Sequence, residues 1–473
     1  MGVRDFFDLD AHGTDVRTEA LAGLTTFLTM SYVVVVNPAI LAAIPGEDGK
    51  PGIAVANAAP GEVIQMLAVV TILAAATGTL VMALYANLPF GQAPGMGLNA
   101  FFAFTVVGAL GVPWQTALAA VVAEGVLFVL LTAVGARKYV IRLFPEPVKF
   151  AVGSGIGLFL AIVGLQEMRL VVADPATLVT LGDVASDPVA MVSVAGLFLT
   201  FALYARGVRG SIVIGILTTT LLGIFATYLG FVKSGVLAIE AVKEGAIALS
   251  ALPSATYDVS PLAGAFVGGL DRVEPVTFAL VVFMLFFVDF FNTAGALVGV
   301  GQVGDFLDDD GNFPDVEKPL MADAVGTTVG GMLGTSTVTT YIESATGVEE
   351  GGRTGLTALV VALLFLASLL VVPLAAAIPL YASHIAVVVI GVVMLSNVVD
   401  IDWNDITHAI PAGLTILVMP FTYSIAYGIA AGIVAFPLVK VAAGEYDDVR
   451  VGHWGLAVAF VGYFAVRTGG PLV

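Results

Sequence analysis

The sequence predicts an all-α polytopic membrane protein with 14 transmembrane segments, arranged as a 7+7 inverted repeat with short strands in spans 3 and 10. Of its 473 residues, 59% are hydrophobic and only 11% are charged, which is more apolar surface than a soluble core needs. Apolar runs of about 20 residues, long enough to cross a bilayer as helices, recur along the chain. Two of these runs are interrupted by glycine and polar residues, as in transporters whose helices break inside the membrane.

Each half of the chain contains seven apolar runs. The predicted spans of the first half are 19–44, 64–86, 91–109, 113–134, 148–168, 187–205 and 210–231. Those of the second half are 275–300, 319–333, 334–348, 354–373, 382–399, 406–420 and 422–441. A further apolar run at 453–467 is short, and it is interpreted as interfacial or packed on the bundle. Because each half has an odd number of spans, the two halves have opposite orientations.

The distribution of basic residues is consistent with N- and C-termini in the cytoplasm. Under this topology 12 of the 18 Lys and Arg residues lie inside and five lie outside, as the positive-inside rule requires. The largest inside group is Arg137, Lys138, Arg142 and Lys149. The polar start of the chain does not resemble a cleavable signal peptide, so the first span is expected to stay in the membrane.

The tenth span, 334–348, is the most polar segment at membrane depth. It contains seven serines and threonines, Tyr341 and Glu343, groups that hydrocarbon penalises by several kcal/mol when they are unpaired. Its β-branched threonines favour a short strand, and a half-helix capped by Ser336 to Thr340 is expected to follow. Thr339, Thr340 and Glu343 would then face an internal cavity, where the carboxylate can hold or release a proton. The alternative is a glutamate that caps or bridges helices.

The third span contains the matching irregular stretch, Gly91 to Asn99. Pro94 lacks an N–H and the neighbouring glycines permit strand or turn geometry, so the helix is predicted to be interrupted here. If the two halves are an inverted repeat, this stretch occupies the position that corresponds to 334–343. A faint S-I-x-x-G-I pattern, at Ser211 and at Ser424, gives weak further support for the two halves.

Polar side chains at membrane depth are the other candidate site residues. Asp289, Asn292 and Thr293 share one face of the eighth span, because they are three and four residues apart. An acid beside a carboxamide and a hydroxyl suits a flat polar heterocycle. The alternative is that they hold helices together.

Further polar and aromatic residues have supporting or open roles. Asp323 is expected to position the Glu343 strand, Asn99 follows the break in span 3, and the role of Glu124 is left open. The aromatic ring of Phe101 could stack on a ligand or simply pack in the bundle. The remaining polar candidates are the hydroxyls of Thr25, Thr26 and Thr29, which lie on one face of span 1.

Composition excludes several other classes of protein. There is no cysteine, so disulfides and thiol chemistry are absent. No nucleotide-binding G-x-x-x-x-G-K-[ST] or zinc-binding H-E-x-x-H motif occurs, which argues against a built-in ATPase or a metalloprotease; neither a metal site nor catalysis is expected. The net charge of −18, with acids grouped in loops such as Asp308–Asp310, suggests a surface adapted to high salt and makes nucleic acid an unexpected partner.

Four segments resemble the Azg-like adenine/guanine/hypoxanthine permeases of the nucleobase/ascorbate transporter superfamily. They are Gly23–Met30 with Asn37-Pro38, Ala93–Ala100, Phe287–Thr293 and Gly334–Gly347. The resemblance implies a homodimer in the cell membrane that moves a purine nucleobase together with a proton, without another cofactor. It also implies that Glu343 grips the base, that Asp289 serves binding or proton coupling, and that Asn99 lines the site. The family usually has a second Asp where this chain has Asn292.

The resemblance also implies a division into two bodies that shift against each other in an elevator-like movement. The core would comprise 19–134 and 275–373, and the gate 148–231 and 382–441. Residues 1–18 would be a cytoplasmic N-terminus and 442–473 a C-terminal interfacial segment. An anion transporter of the same fold remains the nearest alternative, although neither broken segment contains Lys or Arg. An uncoupled channel is the alternative from a different class, and no nucleophile–base pair points to an enzyme.

Overall fold

Long apolar helices form nearly all of the protein, as the apolar runs predict. The structure, a computed structural model, describes residues 2–42, 52–56, 58–134, 145–247, 255–308 and 313–467. Arg137, Lys138, Arg142, Asp309 and Asp310, which entered the predictions of topology and surface charge, lie outside the described residues.

Nine helices of the first half lie within the described residues. They are α1 Val3–Phe6, α2 Val16–Met30, α3 Val33–Leu41, α4 Pro60–Val81, α5 Met96–Ala100, α6 Trp114–Ala133, α7 Glu146–Glu167, α8 Pro188–Ala205 and α9 Ser211–Tyr228, among the described residues. Two of them continue as π-helix, α4 through Met82–Ala86 and α5 through Phe101–Ala109. Strand β1, Gln92–Pro94, precedes α5, and β2 Val171–Asp174 and β3 Leu178–Leu181 form a hairpin after α7.

The second half follows a similar order. After the β4–β5 hairpin, Val242–Lys243 and Ala246–Ile247, come α10 Ala265–Leu270, α11 Pro275–Val303, α12 Glu317–Leu333, strand β6 Val338–Thr340 and α13 Ser344–Glu349. The last six helices are α14 Gly355–Ser368, α15 Val372–Ala375, α16 Leu380–Met394, α17 Ile406–Phe421, α18 Ile425–Ala442 and α19 Val451–Arg467.

Ten helical stretches within the described residues are long and apolar enough to cross a membrane. The four predicted spans outside this set are 91–109, 319–333, 334–348 and 406–420. Span 91–109 contains β1, and 334–348 contains β6 and only a six-residue helix. Helices α12 and α17 have 17 and 16 residues, somewhat short of the usual spanning length. The count of 14 spans therefore stays a prediction.

Three predicted spans change their helix geometry along their length. The predicted span 19–44 corresponds to one apolar stretch, Val16–Leu41, which contains the helices α2 and α3 with a turn at Ser31 and Tyr32. Spans 354–373 and 382–399 change to 3-10 geometry after α14 and after α16. A hydropathy pattern reports where apolar residues lie, but it does not distinguish α from π or 3-10 hydrogen bonding, because all three bury similar faces.

The helices pack in two groups. In one group α6 and α4 pack on α12, and α14 packs on α2 and α4. In the other group α7 packs on α16 and α17, α17 packs on α18, and α8 packs on α9. The groups touch through smaller contacts, including α3 with α16, α5 with α7 and α2 with α9. The first group surrounds the two strands β1 and β6.

Candidate functional site

Strands β1 and β6 join the two interrupted segments as an antiparallel pair. Gln92 lies opposite Thr340, and Pro94 lies opposite Val338. The six strand residues are all buried, and their pairing satisfies backbone groups that could not reach water. Beyond the strands, the Gly95 N–H donates to the Thr337 carbonyl at 3.1 Å. The prediction that these two segments meet is confirmed.

A short helix follows each strand. Gly95 is the N-cap residue of α5 and Glu343 is the N-cap residue of α13, and neither helix has a side-chain capping hydrogen bond. The expectation that Ser336 to Thr340 cap the second helix is wrong, because the β-branched threonines extend the backbone into β6 and the helix begins only at Ser344.

Glu343 lies at the junction of β6 and α13 and is partly exposed. Its Oε1 accepts a hydrogen bond of 2.7 Å from the hydroxyl of Tyr32. Tyr32 is 2% exposed and lies at the break between α2 and α3. A hydrogen bond to a charged group contributes about 1.5–3 kcal/mol, so this phenol fixes the orientation of the carboxylate.

Two further tyrosines approach the same carboxylate. The Tyr341 hydroxyl donates to the Pro94 carbonyl at 2.6 Å, and its ring lies 6.5 Å from that of Tyr32. Tyr204, from α8 in the other helix group, is an electrostatic neighbour of Glu343. Tyrosines from both helix groups are therefore neighbours of the acid, and the sequence analysis selects neither Tyr32 nor Tyr204.

Asn292 begins a chain of hydrogen bonds that runs inward from the surface. Asn292 is exposed, and its Nδ2 donates to Thr339 Oγ1 at 3.2 Å. The Thr339 and Thr293 hydroxyls are 2.6 Å apart, and Thr293 donates to Asp323 Oδ1 at 2.8 Å. The last three residues are buried, so the chain links an accessible carboxamide to an acid in the interior.

A second group of acids lies on the same side of β6. Glu124 Oε2 accepts a 2.8 Å hydrogen bond from Thr337 Oγ1, and the Asp289 carboxyl is a neighbour of the Glu124 carboxyl. Both acids are 0% exposed. Asp323 is an electrostatic neighbour of Glu124, so α6, α11 and α12 each contribute one carboxyl.

The remaining predicted residues lie around the strands. Asn99 is buried and accepts a hydrogen bond from Ser336 Oγ, and Phe101 is 0% exposed within the main hydrophobic core. With the carboxamide of Gln92 oriented so that its oxygen faces these two donors, that oxygen accepts from Thr340 Oγ1 at 3.3 Å and from the Asp323 N–H at 3.2 Å.

The threonines of α2 contact α13. Thr29 Oγ1 lies 3.1 Å from Thr346 Oγ1, while Thr26 is buried where α2 passes Gly347. Thr25 is also buried. These hydroxyls therefore lie behind the helix that Glu343 begins, rather than beside Asn292.

Sequence reasoning missed the residues whose partners are remote. Tyr32 is 311 positions from Glu343, and Glu124 is 213 positions from Thr337. Tyr32 and Gln92 are polar groups within apolar runs, so the criterion that selected Asp289 also applies to them. It could have found them as candidates, but not their partners.

A separate cavity of about 240 Å³ lies between α6 and α11. It is lined by Leu110, Gly111, Val112, Pro113, Thr116, Ala120, Arg272, Glu274, Thr277, Phe278 and Val281. None of the predicted site residues belongs to it. The acids and hydroxyls around β1 and β6 are the better candidate site, because they combine accessible polar groups with a broken backbone.

Comparison with known proteins identifies the family. Residues 17–431 match the sequence profile of a permease family, Xan_ur_permease. The chain belongs to this family. A putative permease of Methanocaldococcus jannaschii is 41% identical to it over 465 residues, which cover 98% of both chains.

Two relatives with more specific names also match this permease along nearly its full length. The adenine permease AdeP of Escherichia coli is 39% identical over 446 residues, 94% of this chain and 91% of its own. The guanine/hypoxanthine permease PbuO of Bacillus subtilis is 39% identical over 448 residues, 94% of this chain and 96% of its own. This permease is thus a multi-pass membrane protein with nucleobase permeases among its relatives.

A solved structure shows the same fold at low identity. The transmembrane domain of the cyanobacterial bicarbonate transporter BicA superposes with a TM-score of 0.58 at 16% identity. The superposition covers 90% of this permease and 97% of that chain.

Proposed function

We propose that this permease is a secondary active transporter that imports purine nucleobases (adenine, guanine or hypoxanthine) by proton symport. The names of two relatives support this substrate class. The observation that carries the proposal is the accessible carboxylate of Glu343, oriented by Tyr32 where β6 meets α13. A carboxylate accepts hydrogen bonds from N–H donors, which purine edges supply.

The other site residues complete the proposed binding site. Asn292 is accessible and offers a carbonyl acceptor besides its contact with Thr339. Thr339, Thr340, Thr293 and Asn99 shape the site from behind, with Phe101 packed beneath them. Asp289 and Glu343 take part in proton coupling, while Asp323, Thr26 and Thr29 support the binding residues.

The transport step is an elevator-like shift of one helix group against the other. In this proposal residues 19–134 and 275–373 form the core, and 148–231 and 382–441 form the gate, within a 14-span inverted repeat. The packing supports the division, since α12 contacts α4 and α6 while α7 contacts α16 and α17. The antiparallel pairing of β1 with β6, one strand from each half, supports the repeat.

Placement and assembly complete the proposal. The permease is a homodimer in the cell membrane, with both termini in the cytoplasm and an acidic surface adapted to high salt. Light scattering of the purified protein in detergent should give twice the polypeptide mass after correction for bound detergent. A monomer at all salt concentrations would contradict the assembly.

Uptake by proteoliposomes tests substrate and coupling together. Labelled hypoxanthine and adenine should accumulate when the outside is acidic, and unlabelled guanine should compete while uracil competes less. If the proteoliposomes accumulate bicarbonate, or show no preference for purines over other solutes, the anion carrier of the same fold is favoured. Purine flux that never exceeds equilibrium would indicate an uncoupled channel.

Glu343→Gln tests the residue that carries the proposal. Removing the charge weakens hydrogen bonds that contribute about 1.5–3 kcal/mol each, so purine uptake should fall by about 10- to 100-fold. Glu240→Gln, at an exposed loop acid, is the matched control and should leave uptake unchanged. Saturable proton-driven uptake by Glu343→Gln at the wild-type rate would show that this residue is wrongly assigned.

A further inference from the structure

Glu124 and Asp289 form a buried pair of carboxyl groups on the strand side of α6 and α11. Each is 0% exposed, and the helices that carry them, α6 and α11, pack against each other. The Asp289 carboxyl is a neighbour of the Glu124 carboxyl. A carboxylate removed from water is costly unless a cation or several hydrogen-bond donors replace the water, so a buried pair without a cation needs a proton. Two acids that share one site cannot both ionise readily, as in the dyad of aspartic proteases.

Within the described part of the chain, no positive charge acts on Glu124 to stabilise two ionised carboxyls. Among the described residues, the groups that act on Glu124 are the hydroxyl of Thr337 and the carboxyls of Asp289 and Asp323. The other elements packed against α6 near this point are α10 and the π-helix Phe101–Ala109, and their sequences contain no titratable residue.

A metal cation is a poorer occupant than a proton. Within the described part of the chain, no group of three or more His, Cys, Asp or Glu side chains is arranged to hold a metal ion.

The pair is connected to the substrate site through β6. Thr337 donates to Glu124, and Thr339, two residues along, lies on the same side of the strand. Thr339 contacts both Asn292 and Thr293, and the strand leads directly to Glu343. Loss of the shared proton would leave two like charges against Thr337, so the position of the strand depends on protonation of the pair.

We propose that Glu124 and Asp289 share one proton and are the site that holds the transported proton, behind the strand that presents Glu343 to substrate. The inference rests on the proposed purine–proton symport and adds Glu124 to it as a residue that binds the proton but not the base. Substrate at Glu343 and the proton at Glu124 and Asp289 then act on the same strand.

Glu124→Gln separates proton binding from purine binding. Glutamine has the shape of the protonated acid, accepts from Thr337 and donates to Asp289. Calorimetry with hypoxanthine should give an affinity within about threefold of the wild type, and exchange of labelled for unlabelled purine should continue. Accumulation driven by a pH gradient should fall at least about tenfold. Proton uptake on purine binding, followed with a dye in weak buffer, should decrease by about one proton per chain.

The possible outcomes distinguish this inference from the proposed function. If the wild type binds no purine, the proposed function fails; if it binds purine without proton uptake, symport fails. Suppose that the wild type binds purine and takes up a proton on binding. If Glu124→Gln then still takes up the proton and accumulates purine, the shared-proton site is overturned. The control is again Glu240→Gln, which should match the wild type in every assay.

A measurement without substitution at the pair covers the case in which Glu124→Gln does not fold. In the Glu343→Gln background, the infrared carbonyl band of a protonated carboxyl should persist at neutral pH, because the pair retains its proton. It should remain when the pH gradient is absent and weaken in strong alkali. Absence of this band at neutral pH would overturn the proposal.

Discussion

Glu343 is the residue on which the proposed site depends, and its setting supports the proposed binding of a neutral ring. The side chain is partly exposed, while its partner Tyr32 is 2% exposed. The phenol donates to one carboxylate oxygen at 2.7 Å, which leaves the other oxygen for a ligand. Orienting the acid in advance reduces the conformational entropy lost on binding.

Tyr32→Phe should weaken purine binding without abolishing the fold. The substitution removes the hydroxyl and retains the ring, so the hydrogen bond to a charged group, about 1.5–3 kcal/mol, is lost. The KM for purine uptake should rise by about 10- to 100-fold. Tyr257→Phe is the control, because that exposed hydroxyl bonds only to the Leu369 carbonyl. An unchanged KM in Tyr32→Phe would show that the phenol does not orient Glu343.

The hydroxyl of Thr293 is the middle member of the chain from Asn292 to Asp323. Thr293→Val preserves the shape but leaves Thr339 and Asp323 without their shared partner. The free energy of unfolding should fall by about 1–3 kcal/mol, measured as a lower thermal midpoint in detergent. Thr132→Val is the control, since among the described residues that hydroxyl bonds within its own helix, to the Phe128 carbonyl. An equal effect in both variants would mean that the chain adds nothing to stability.

At the scale of elements, the close approach of α6 and α12 holds the buried acids together. A Cβ added at Gly125, next to Glu124, would lie 2.7 Å from the backbone nitrogen of Thr328. Backbone atoms cannot rotate away as a side chain can, so the two helices would have to separate. Glycine at this position therefore determines the spacing of the carboxyls.

Gly125→Ala should destabilise the protein and weaken transport at the same time. Overpacking of this kind costs about 1–3 kcal/mol, and helix separation would lengthen the contacts of Glu124 with Asp289 and Thr337. Gly268→Ala, in α10, is the matched control, because nothing lies within 4 Å of the added atom. Thermal unfolding and uptake of the two variants, side by side, check the prediction; equal stability would contradict it.

At the scale of the whole molecule, an ion pair joins the two helix groups. Arg209, between α8 and α9, pairs with Glu350, which follows α13. The side chains are 52% and 21% exposed, and such a pair contributes about 0–1 kcal/mol. It is weak enough to break and re-form during the proposed elevator movement.

Cross-linking at this ion pair tests whether the groups move. The chain has no cysteine, so Arg209→Cys with Glu350→Cys introduces the only two thiols. A short, reducible bifunctional thiol reagent should join them and stop uptake, and a reductant should restore it. The control is Asp315→Cys with Lys318→Cys, an exposed pair in one segment, where cross-linking should leave uptake intact. Full uptake by the cross-linked Arg209–Glu350 variant would rule out the movement.

Hydropathy and residue type were sufficient to predict the main helices and the acids at membrane depth. The predicted span 113–134 is α6, Trp114–Ala133, and the predicted span 275–300 begins where α11 does, at Pro275. A helix that crosses the membrane needs about 20 consecutive apolar residues, so each such helix can be recognised from its own segment of the sequence. Asp289 and Glu343 could be selected in the same way, since charges at this depth are rare.

The tertiary structure alone decided which polar groups meet. The pairing of Glu343 with Tyr32, of Glu124 with Thr337 and of β1 with β6 joins residues more than 200 positions apart. No local pattern specifies such partners, because a buried polar group requires a hydrogen bond but does not require a particular donor along the chain. The sequence thus determined that polar groups lie among apolar helices, and the packing of those helices determined their arrangement.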